Sequence, residues 1–276
     1  MTDPLLLTID AGLARLTLNR PESLNAFDAE LAHAWRDATA EVVARPDVGA
    51  ILIDANGRAF CAGGDVRAMA GGIGGGSDIT ALARVINAGI LSLTTAAIPV
   101  VAAAHGVTAG GGLGILMCSD YAVVGAGSQI GSRYANIGLT PDLSVSAQLA
   151  RAVGERRALQ LLLQDRMLSA EEAVDWGLVA EAVPAASGSE PGAEPGGRLD
   201  AAAEADAVRE RAEQIARFWL AGAAGAYGRA VQLVRTQPSR SFEEQLEVEA
   251  QSIGAAFDTP DAQARVAAFA ATTRSR

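Results

Sequence analysis

Two glycine-rich turns constrain this chain more than any other feature. Residues 58–66 read RAFCAGGDV and residues 105–114 read HGVTAGGGLG, so each places glycines after a short apolar run and before a predicted helix. Such a helix start exposes backbone N–H groups, where unpaired donors and the helix dipole favour negative charge. Two such donors directed at one point form an oxyanion hole. The alternative is that these glycines only make tight turns and allow close packing.

The apolar pattern along the first half of the chain predicts α/β layering. Apolar residues on either side of Ala11-Gly12 indicate a hairpin, and apolar residues three to four apart indicate amphipathic helices. Alternation of strands and helices favours crossover connections. The expected strands cover residues 5–10, 13–19, 50–54, 99–104, 120–124 and 129–131, and the expected helices cover residues 26–44, 79–95 and 111–117.

The second half of the chain predicts a helical appendage. Ser169 with Glu172, and Ser241 with Glu244, form the Ser-x-x-Glu pattern of a capping box. Residues 184–197 are poor in large apolar side chains and rich in Gly, Pro, Ala, Ser and Glu, which indicates a disordered or loosely held linker over about 184–200. We therefore expect a core over residues 1–190 and a C-terminal region over 191–276, with helices at 201–220, 225–236, 241–256 and 260–271.

Charge and composition exclude several classes of function. The chain has 276 residues, half of them apolar, and a formal net charge of −10, which disfavours binding to nucleic acid. It contains no lysine, which excludes a P-loop lysine, a Schiff-base lysine and a lysine general base. Neither a signal peptide nor a membrane span is indicated, so we expect a cytoplasmic protein without membrane contact.

Cysteine and histidine are too few for a metal centre. Cys61 and Cys118 are far apart in apolar surroundings, which favours reduced, buried thiols over a disulfide or a metal site. His33 and His105 are the only histidines, and His105 in an apolar strand is expected to be packed and bonded to backbone. We predict no metal site.

Together with residues 18–26, LNRPESLNA, the two glycine turns resemble the crotonase (enoyl-CoA hydratase/isomerase) superfamily, and the resemblance runs from about residue 5 to 269. It implies an α/β fold, a crotonase-like spiral of ββα units with a C-terminal helical trimerisation region. It also implies an acyl-CoA substrate, no cofactor apart from the coenzyme A of that substrate, and a homotrimer or a dimer of trimers.

The resemblance assigns the oxyanion donors to the backbone amides of Gly64 and Gly111. Arg20 is a candidate phosphate partner or else a solvated arginine at a strand end. Asp65 is a candidate ligand contact or else the cap of the next helix. The substrate and CoA contacts implied by the resemblance are Arg20, Ser23, Leu24, Ala26, Ala62, Gly64, Asp65, Val66, Gly111 and Tyr134.

Two positions depart from the hydratases of the superfamily. Those enzymes use two glutamates to position and activate water, and the corresponding positions here are Gly114 and Tyr134. Neither residue is a carboxylate, so hydration by that route is disfavoured. Tyr134 either donates a hydrogen bond in the pocket or fills it, and filling is the favoured interpretation. The chain therefore resembles the non-hydratase branch.

Asp142 is the candidate acid/base. It follows Thr140-Pro141, the position where some isomerases of the superfamily carry a single acid. One carboxylate suffices to move a proton between two carbons while an oxyanion hole binds the dienolate. The alternative is that Asp142 caps the following helix, and the two roles do not exclude each other.

The expected function is an enoyl-CoA isomerase acting through a thioester enolate, with Asp142, Gly64 and Gly111 as its catalytic groups. Other reactions of the same class remain open, namely hydrolysis, dehalogenation, ring rearrangement and residual hydration. A different class also remains open, a non-catalytic acyl-CoA-binding protein that retained the glycine turns.

Overall fold

The strands form two sheets. The structure, a computed structural model, describes residues 2–72, 75–164, 166–184 and 201–273. The large sheet has the order β1-β2-β3-β4-β6-β9, with β1 antiparallel to β2 and the other pairs parallel, and the small sheet has the order β5-β7-β8. The strands are β1 (Leu5–Asp10), β2 (Leu13–Leu18), β3 (Ala50–Ala55), β4 (Val100–Ala104), β5 (Val107–Ala109), β6 (Tyr121–Gly125), β7 (Gln129–Gly131), β8 (Met167–Ser169) and β9 (Glu181–Val183).

Helices connect the strands and then continue alone to the C-terminal end of the described chain. Short 3₁₀ turns cover Pro21–Ser23, Ala135–Ile137 and Gln237–Ser239. The helices are α1 (Ala29–Ala44), α2 (Val66–Gly72), α3 (Gly76–Thr95), α4 (Gly111–Met117), α5 (Val145–Val153), α6 (Glu155–Leu163), α7 (Ala170–Asp175), α8 (Ala201–Ala221), α9 (Ala224–Thr236), α10 (Phe242–Phe257) and α11 (Pro260–Thr273).

The order of elements produces a spiral. After β3 the chain places β4 in the large sheet and β5 in the small sheet before α4, and it then places β6 and β7 in the same two sheets before α5. Each ββα unit thus contributes one strand to each sheet. The predicted α/β spiral with a helical C-terminal region is confirmed.

The central strands of the large sheet are buried on both faces because helices cover each face. On one face Leu16, Ile51 and Ile53 pack with Trp35 of α1 in the main core. On the other face Leu52 and its neighbours pack against α8, including Val208. All six residues of β3 are consequently buried, as expected of a central parallel strand.

A buried ion pair joins α8 to the sheet. Asp54 at the end of β3 is 2% exposed, and its Oδ2 accepts a 2.9 Å bond from Nε of Arg209 on α8. The hydroxyl of Thr17 donates to Oδ1 of the same carboxylate at 2.5 Å. The first helix of the C-terminal region is therefore an integral part of the core.

The long elements and the three-residue strand β7 match the sequence prediction, whereas the other short strands were missed. The hairpin, α1, α3, α4 and the four C-terminal helices lie within a few residues of their predicted bounds, and both capping boxes are present. The strands β5, β8 and β9, of three residues each, were not identified as strands from the sequence. The predicted linker and boundary fall almost wholly on residues 185–200, outside the described residues. No helix formed by the described residues is long and apolar enough to cross a bilayer.

Candidate active site

The two glycine turns lie side by side. Cys61 pairs in parallel with Thr108, since the Cys61 amide donates to Val107 O at 3.2 Å and the Ala109 amide donates to Cys61 O at 3.0 Å. Gly63 has a φ of +105°, and a Cβ at this position would lie 3.0 Å from Ala109 O. Only glycine allows this conformation and this approach without strain.

The hydrogen bonds next to Gly64 determine the direction of its backbone amide. Phe27 pairs alongside it, with the Phe27 amide donating to Gly63 O at 2.7 Å and the Asp65 amide donating to Phe27 O at 2.9 Å. These bonds use the groups on either side of Gly64, so its own N–H is directed away from Phe27. Within the described part of the chain no acceptor bonds it.

The amide of Gly111 is available for a similar reason. Gly111 is the first residue of α4, so it has no acceptor within the helix. The preceding Gly110 has a φ of +53° and provides no side-chain cap. Among the described residues the Gly111 amide has no hydrogen-bond acceptor.

Gly64 and Gly111 line one cavity of about 630 Å³. This volume lies within the range of small-molecule sites. Its apolar wall includes Phe27, Val66, Met69, Ile79, Leu82, Ala83, Ile86, Ile137, Leu139 and Leu143. Its polar side chains are Thr80, Arg84, Asn87, Arg133, Tyr134, Asn136, Thr140 and Asp142.

Asp142 and Tyr134 form a hydrogen-bonded pair in this cavity. The Tyr134 hydroxyl donates to Oδ1 of Asp142 at 2.5 Å, across a loop of eight residues. Tyr134 is only 8% exposed, while Asp142 is half-buried. The favoured interpretation of Tyr134 as a mere filler is therefore wrong, because its hydroxyl bonds the candidate acid/base.

Burial and hydrogen bonding act in opposite directions on Asp142. Burial raises the pKa of its carboxyl, and the bond from Tyr134 acts to lower that pKa, with the net result above the usual value for aspartate. Burial, the nearby Asp142 charge and the hydrogen bond raise the pKa of the Tyr134 phenol far above its usual value. The phenol is therefore a protonated donor at neutral pH.

The interpretation of Asp142 as a side-chain cap is wrong. Ser144 is the N-cap residue of α5, and its hydroxyl makes no capping bond. Asp142 contributes only its backbone oxygen, which accepts from the Val145 amide at 2.9 Å. The carboxylate is thus available to the cavity.

The surroundings of Gly114 explain why no side chain is present where the hydratases carry the first of their two glutamates. A Cβ on Gly114 would lie 2.2 Å from the carbonyl oxygen of Leu143 and 2.9 Å from its Cβ. The backbone next to Asp142 occupies this space, with Leu143 and Ser144 in left-handed conformations at φ of 47° and 69°. A glutamate at position 114 is therefore incompatible with this loop.

Arg20 is engaged inside the protein. Its guanidinium lies 2.8 Å from Asp28 and 3.3 Å from Asp65, and it donates to Ala26 O. The side chain is only 16% exposed, so it is not a solvated arginine. Asp65 caps α2, because its Oδ1 accepts from the amides of Arg67 and Ala68 at 3.1 Å each.

The two predicted CoA-binding segments are adjacent. The Ala62 amide donates to Leu24 O at 3.0 Å, and Leu24 and Asn25 both have positive φ. Asn25 holds this bend, since its fully buried amide group donates to Asn56 O at 2.9 Å and Ala59 O at 2.8 Å. Asn25 belongs to the motif at residues 18–26, but the sequence alone did not assign it this role.

The structure divides the predicted site residues into two groups. Those that line the cavity are Ala62, Gly64, Val66, Gly111, Tyr134 and Asp142. Those that do not line it are Arg20, Ser23, Leu24, Ala26 and Asp65. The second group builds the bend and the ion pairs beside the cavity.

The contribution of α3 to the cavity was not predicted from the sequence. Thr80, Arg84 and Asn87 line the cavity at positions i, i+4 and i+7 of this helix, which places them on one stripe. In the sequence they look like the solvated face of an amphipathic helix. Only the position of α3 over the cavity distinguishes them from ordinary surface residues.

The cysteines and His105 have structural roles. Both thiols are free and buried, and burial raises the pKa of each to about 12. Nε2 of His105 lies 2.8 Å from Gly57 O, as predicted, and burial lowers the pKa of its imidazole. Within residues 2–72, 75–164, 166–184 and 201–273, no group of three or more His, Cys, Asp or Glu side chains is arranged to hold a metal ion.

Comparison with known proteins identifies the class of this chain. Residues 8–194 match the family model described as enoyl-CoA hydratase/isomerase. The chain therefore belongs to the enoyl-CoA hydratase/isomerase family, the crotonase superfamily that the sequence motifs indicated.

Relatives within the family carry different activities in their names. The chain is 33% identical over 176 residues to the "Probable enoyl-CoA hydratase EchA14" of Mycobacterium tuberculosis, covering 64% of this chain and 68% of that protein. It is 27% identical over 274 residues to the 1,2-epoxyphenylacetyl-CoA isomerase of Escherichia coli, covering 98% and 97% of the two chains. The enoyl-CoA hydratase of Mycobacterium smegmatis shares the fold, with a TM-score of 0.84, 24% identity and coverage of 98% and 96%.

Proposed function

We propose that this protein is an enoyl-CoA isomerase in which Asp142 moves a proton between two carbons of the acyl group. In this proposal the amides of Gly64 and Gly111 bind the thioester oxygen. The observation that carries the proposal is that Asp142 is the only carboxylate, among the residues described, that lines the cavity shared by these two glycines.

The proposed reaction is balanced with one carboxylate. In a 3-enoyl thioester, ionised Asp142 takes a proton from C2, and the C–H electron pair spreads over C2, C3, C4 and the thioester oxygen. The protonated carboxyl then returns that proton to C4, which gives the 2-enoyl thioester and restores the carboxylate. We propose no cofactor beyond the coenzyme A of the substrate.

The two glycine amides are proposed to lower the cost of the enolate. A preorganised N–H donor at a developing oxyanion contributes on the order of 3 kcal/mol, or at least about a hundredfold in rate. A positioned general base contributes about 10²–10⁴-fold. The raised pKa of Asp142 favours this role, because it brings the basicity of the carboxylate closer to neutral pH.

The surroundings of Gly114 argue against hydration. The two-glutamate route needs carboxylates at positions 114 and 134, and the Leu143 backbone fills the space beside Gly114. Asp142 alone then has to serve as the acid/base. A proton shift requires one such group, whereas activation and positioning of water in the hydratases use two.

A ring rearrangement is the second candidate function. The isomerase of ring-epoxidised phenylacetyl-CoA in Escherichia coli aligns with 98% of this chain, which supports an activity on a related substrate. The same enolate stabilisation and the same carboxylate would serve it. If Asp142 instead attacked the thioester carbon, as in hydrolysis, the C–S bond would break and release coenzyme A. A covalent acyl-aspartate would then be trapped on mixing enzyme and substrate.

The coenzyme A moiety is proposed to lie along the adjacent segments 23–26 and 62–66. Their support is the bond from Ala62 N to Leu24 O, which brings both predicted segments beside the cavity. Arg20, whose guanidinium already pairs with Asp28 and Asp65, is a weaker candidate for a phosphate contact than sequence analysis expected.

The proposed function is tested with a panel of 2-enoyl- and 3-enoyl-CoA substrates. We expect the wild-type protein to interconvert them and Asp142→Asn to bind acyl-CoA with turnover reduced at least about a hundredfold, since a general base is lost. Asp47→Asn serves as the matched control, because Asp47 pairs with Arg45 on an exposed surface. Full turnover by Asp142→Asn would contradict the proposal, and acyl-CoA binding without any turnover by the wild type would indicate a non-catalytic binder.

A further inference from the structure

The proposed reaction assigns no role to the hydrogen bond that the Tyr134 hydroxyl donates to Asp142. The structure assigns Tyr134 as a positioning residue that holds Oδ1 of Asp142 and leaves Oδ2 for the substrate proton. This inference rests on the proposed function, because it gives Tyr134 a role only if Asp142 is the acid/base.

The hydroxyl of Tyr134 restricts how the carboxylate turns. The χ2 torsion of aspartate is broad and allows either oxygen to face a ligand. The 2.5 Å bond from the phenol selects one of the two oxygens, and the same hydroxyl lies 3.5 Å from the backbone oxygen of Asp142. The reacting oxygen therefore has a defined place before the substrate arrives.

The phenol is itself fixed by the turn that carries it. The backbone oxygen of Tyr134 accepts from the amides of Ile137 at 3.2 Å and Leu139 at 3.1 Å, which closes the loop leading to Asp142. The Tyr134 ring is only 8% exposed. A buried ring on a closed turn holds its hydroxyl in one position, unlike a long and flexible donor such as arginine.

The bond also affects the charge of Asp142. It stabilises the ionised form, which opposes the effect of burial on the pKa. Among the described residues, the other charged side chains lining the cavity are Arg84 of α3 and Arg133 next to Tyr134. The Cys61 thiol behind Tyr134 is neutral at neutral pH, since burial raises its pKa to about 12.

Tyr134→Phe is the informative substitution because it removes only the hydroxyl. We expect kcat to fall by about tenfold to a hundredfold, with KM changed by less than about twofold. This loss is smaller than most of the roughly 10²–10⁴-fold contribution of a general base, because the Asp142 carboxylate itself remains. We also expect the acidic limb of the kcat/KM profile to move to higher pH. The direction follows because the bond from Tyr134 lowers the pKa of Asp142, so its loss lets burial raise that pKa further and the carboxyl ionises only at higher pH.

Tyr121→Phe is the matched control. Tyr121 also donates to a carboxylate, Glu181, at 3.3 Å, but it lies on β6 away from the cavity. We expect this variant to retain the wild-type kcat and pH profile. In the background of Asp142→Asn, Tyr134→Phe is expected to cause no further loss, because the two residues act as one unit.

A direct titration of the Asp142 carboxyl by ¹³C NMR, without substrate, separates positioning from simple packing. A rise of its pKa in Tyr134→Phe, with unchanged thermal unfolding, supports the inference. An unchanged pKa and an unchanged acidic limb, in a protein where Asp142→Asn is inactive, would overturn it while leaving the proposed function intact. Full activity of Asp142→Asn would instead overturn the proposed function.

Discussion

At the scale of single residues, glycines were easier to interpret than acids. Gly63 has to be glycine because it combines a positive φ with close approach of a second backbone, and such needs are visible in a sequence as glycine itself. The two glycine turns could therefore be predicted from the sequence, whereas the assignment of Gly64 and Gly111 as donors depended on the resemblance to the superfamily. An aspartate carries no comparable signal, since Asp142 suits a helix cap and a catalytic site equally well.

The contact between Tyr134 and Asp142 was not predictable from residue types. It depends on a loop in which Leu143 and Ser144 are both left-handed, and neither residue favours that conformation. It depends also on Gly114, which leaves room for the Leu143 backbone. Local propensity contains none of these tertiary constraints, so sequence analysis identified both residues without their bond.

At the scale of secondary structure, length decided what could be predicted. Helices such as α1 and α3 repeat their apolar positions over several turns, and the periodicity is clear. A strand such as β5 has three residues and exists because its neighbours pair with it. Three residues are too few to show the alternation of apolar and polar side chains that identifies a strand.

The packing of α4 against the loop of Asp142 leads to a prediction at this scale. Gly114→Ala places a Cβ 2.2 Å from the Leu143 carbonyl oxygen, so the loop has to move. We expect a loss of about 1–3 kcal/mol in the free energy of unfolding, typical of overpacking. We also expect turnover to fall at least about tenfold because Asp142 is displaced. Denaturant unfolding and kinetics on 3-enoyl-CoA measure the two effects.

A second glycine-to-alanine change in a helix controls for helix propensity. Gly225 of α9 is exposed, and a Cβ there would meet nothing within 4 Å. Gly225→Ala should stabilise the protein by roughly 0.5–1 kcal/mol and leave turnover unchanged. Wild-type turnover in Gly114→Ala would show that the Leu143 backbone does not determine the position of Asp142.

At the scale of the whole molecule, the C-terminal helices present more apolar surface than one chain covers. The exposed fraction is 73% for Ile253 and 54% for Phe257 on α10, and 73% for Phe269 on α11. Surfaces of this kind commonly mark contacts between protein chains. We therefore propose that the predicted C-terminal region over 191–276 serves in oligomerisation through its later helices, while its first helix, α8, packs on the predicted core over 1–190. The assembly that we propose is a homotrimer or a dimer of trimers.

Light scattering after gel filtration tests this assembly. We expect a mass three or six times that of one chain, reduced in Ile253→Asp because a charge is placed in the groove between α9 and α10. Leu163→Asp on α6 provides a control, since Leu163 is 79% exposed outside the C-terminal helices. A monomeric wild-type protein would contradict the proposed assembly and leave the chemistry of the cavity unaffected.

Binding of the thioester oxygen by two backbone amides is the central claim, and Gly111 allows it to be tested directly. Proline at the first position of a helix lacks the N–H and fits the helical φ, so Gly111→Pro removes the donor. Gly111→Ala keeps the donor while adding the same Cβ, which would lie 2.8 Å from Cδ1 of Leu143.

The decisive measurement is the rate of 3-enoyl-CoA to 2-enoyl-CoA conversion by these two variants, both verified as folded by circular dichroism. We predict that Gly111→Pro is slower than Gly111→Ala by about a hundredfold or more, the effect of one oxyanion donor. Equal rates for the two folded variants would contradict the claim that the Gly111 amide stabilises the enolate.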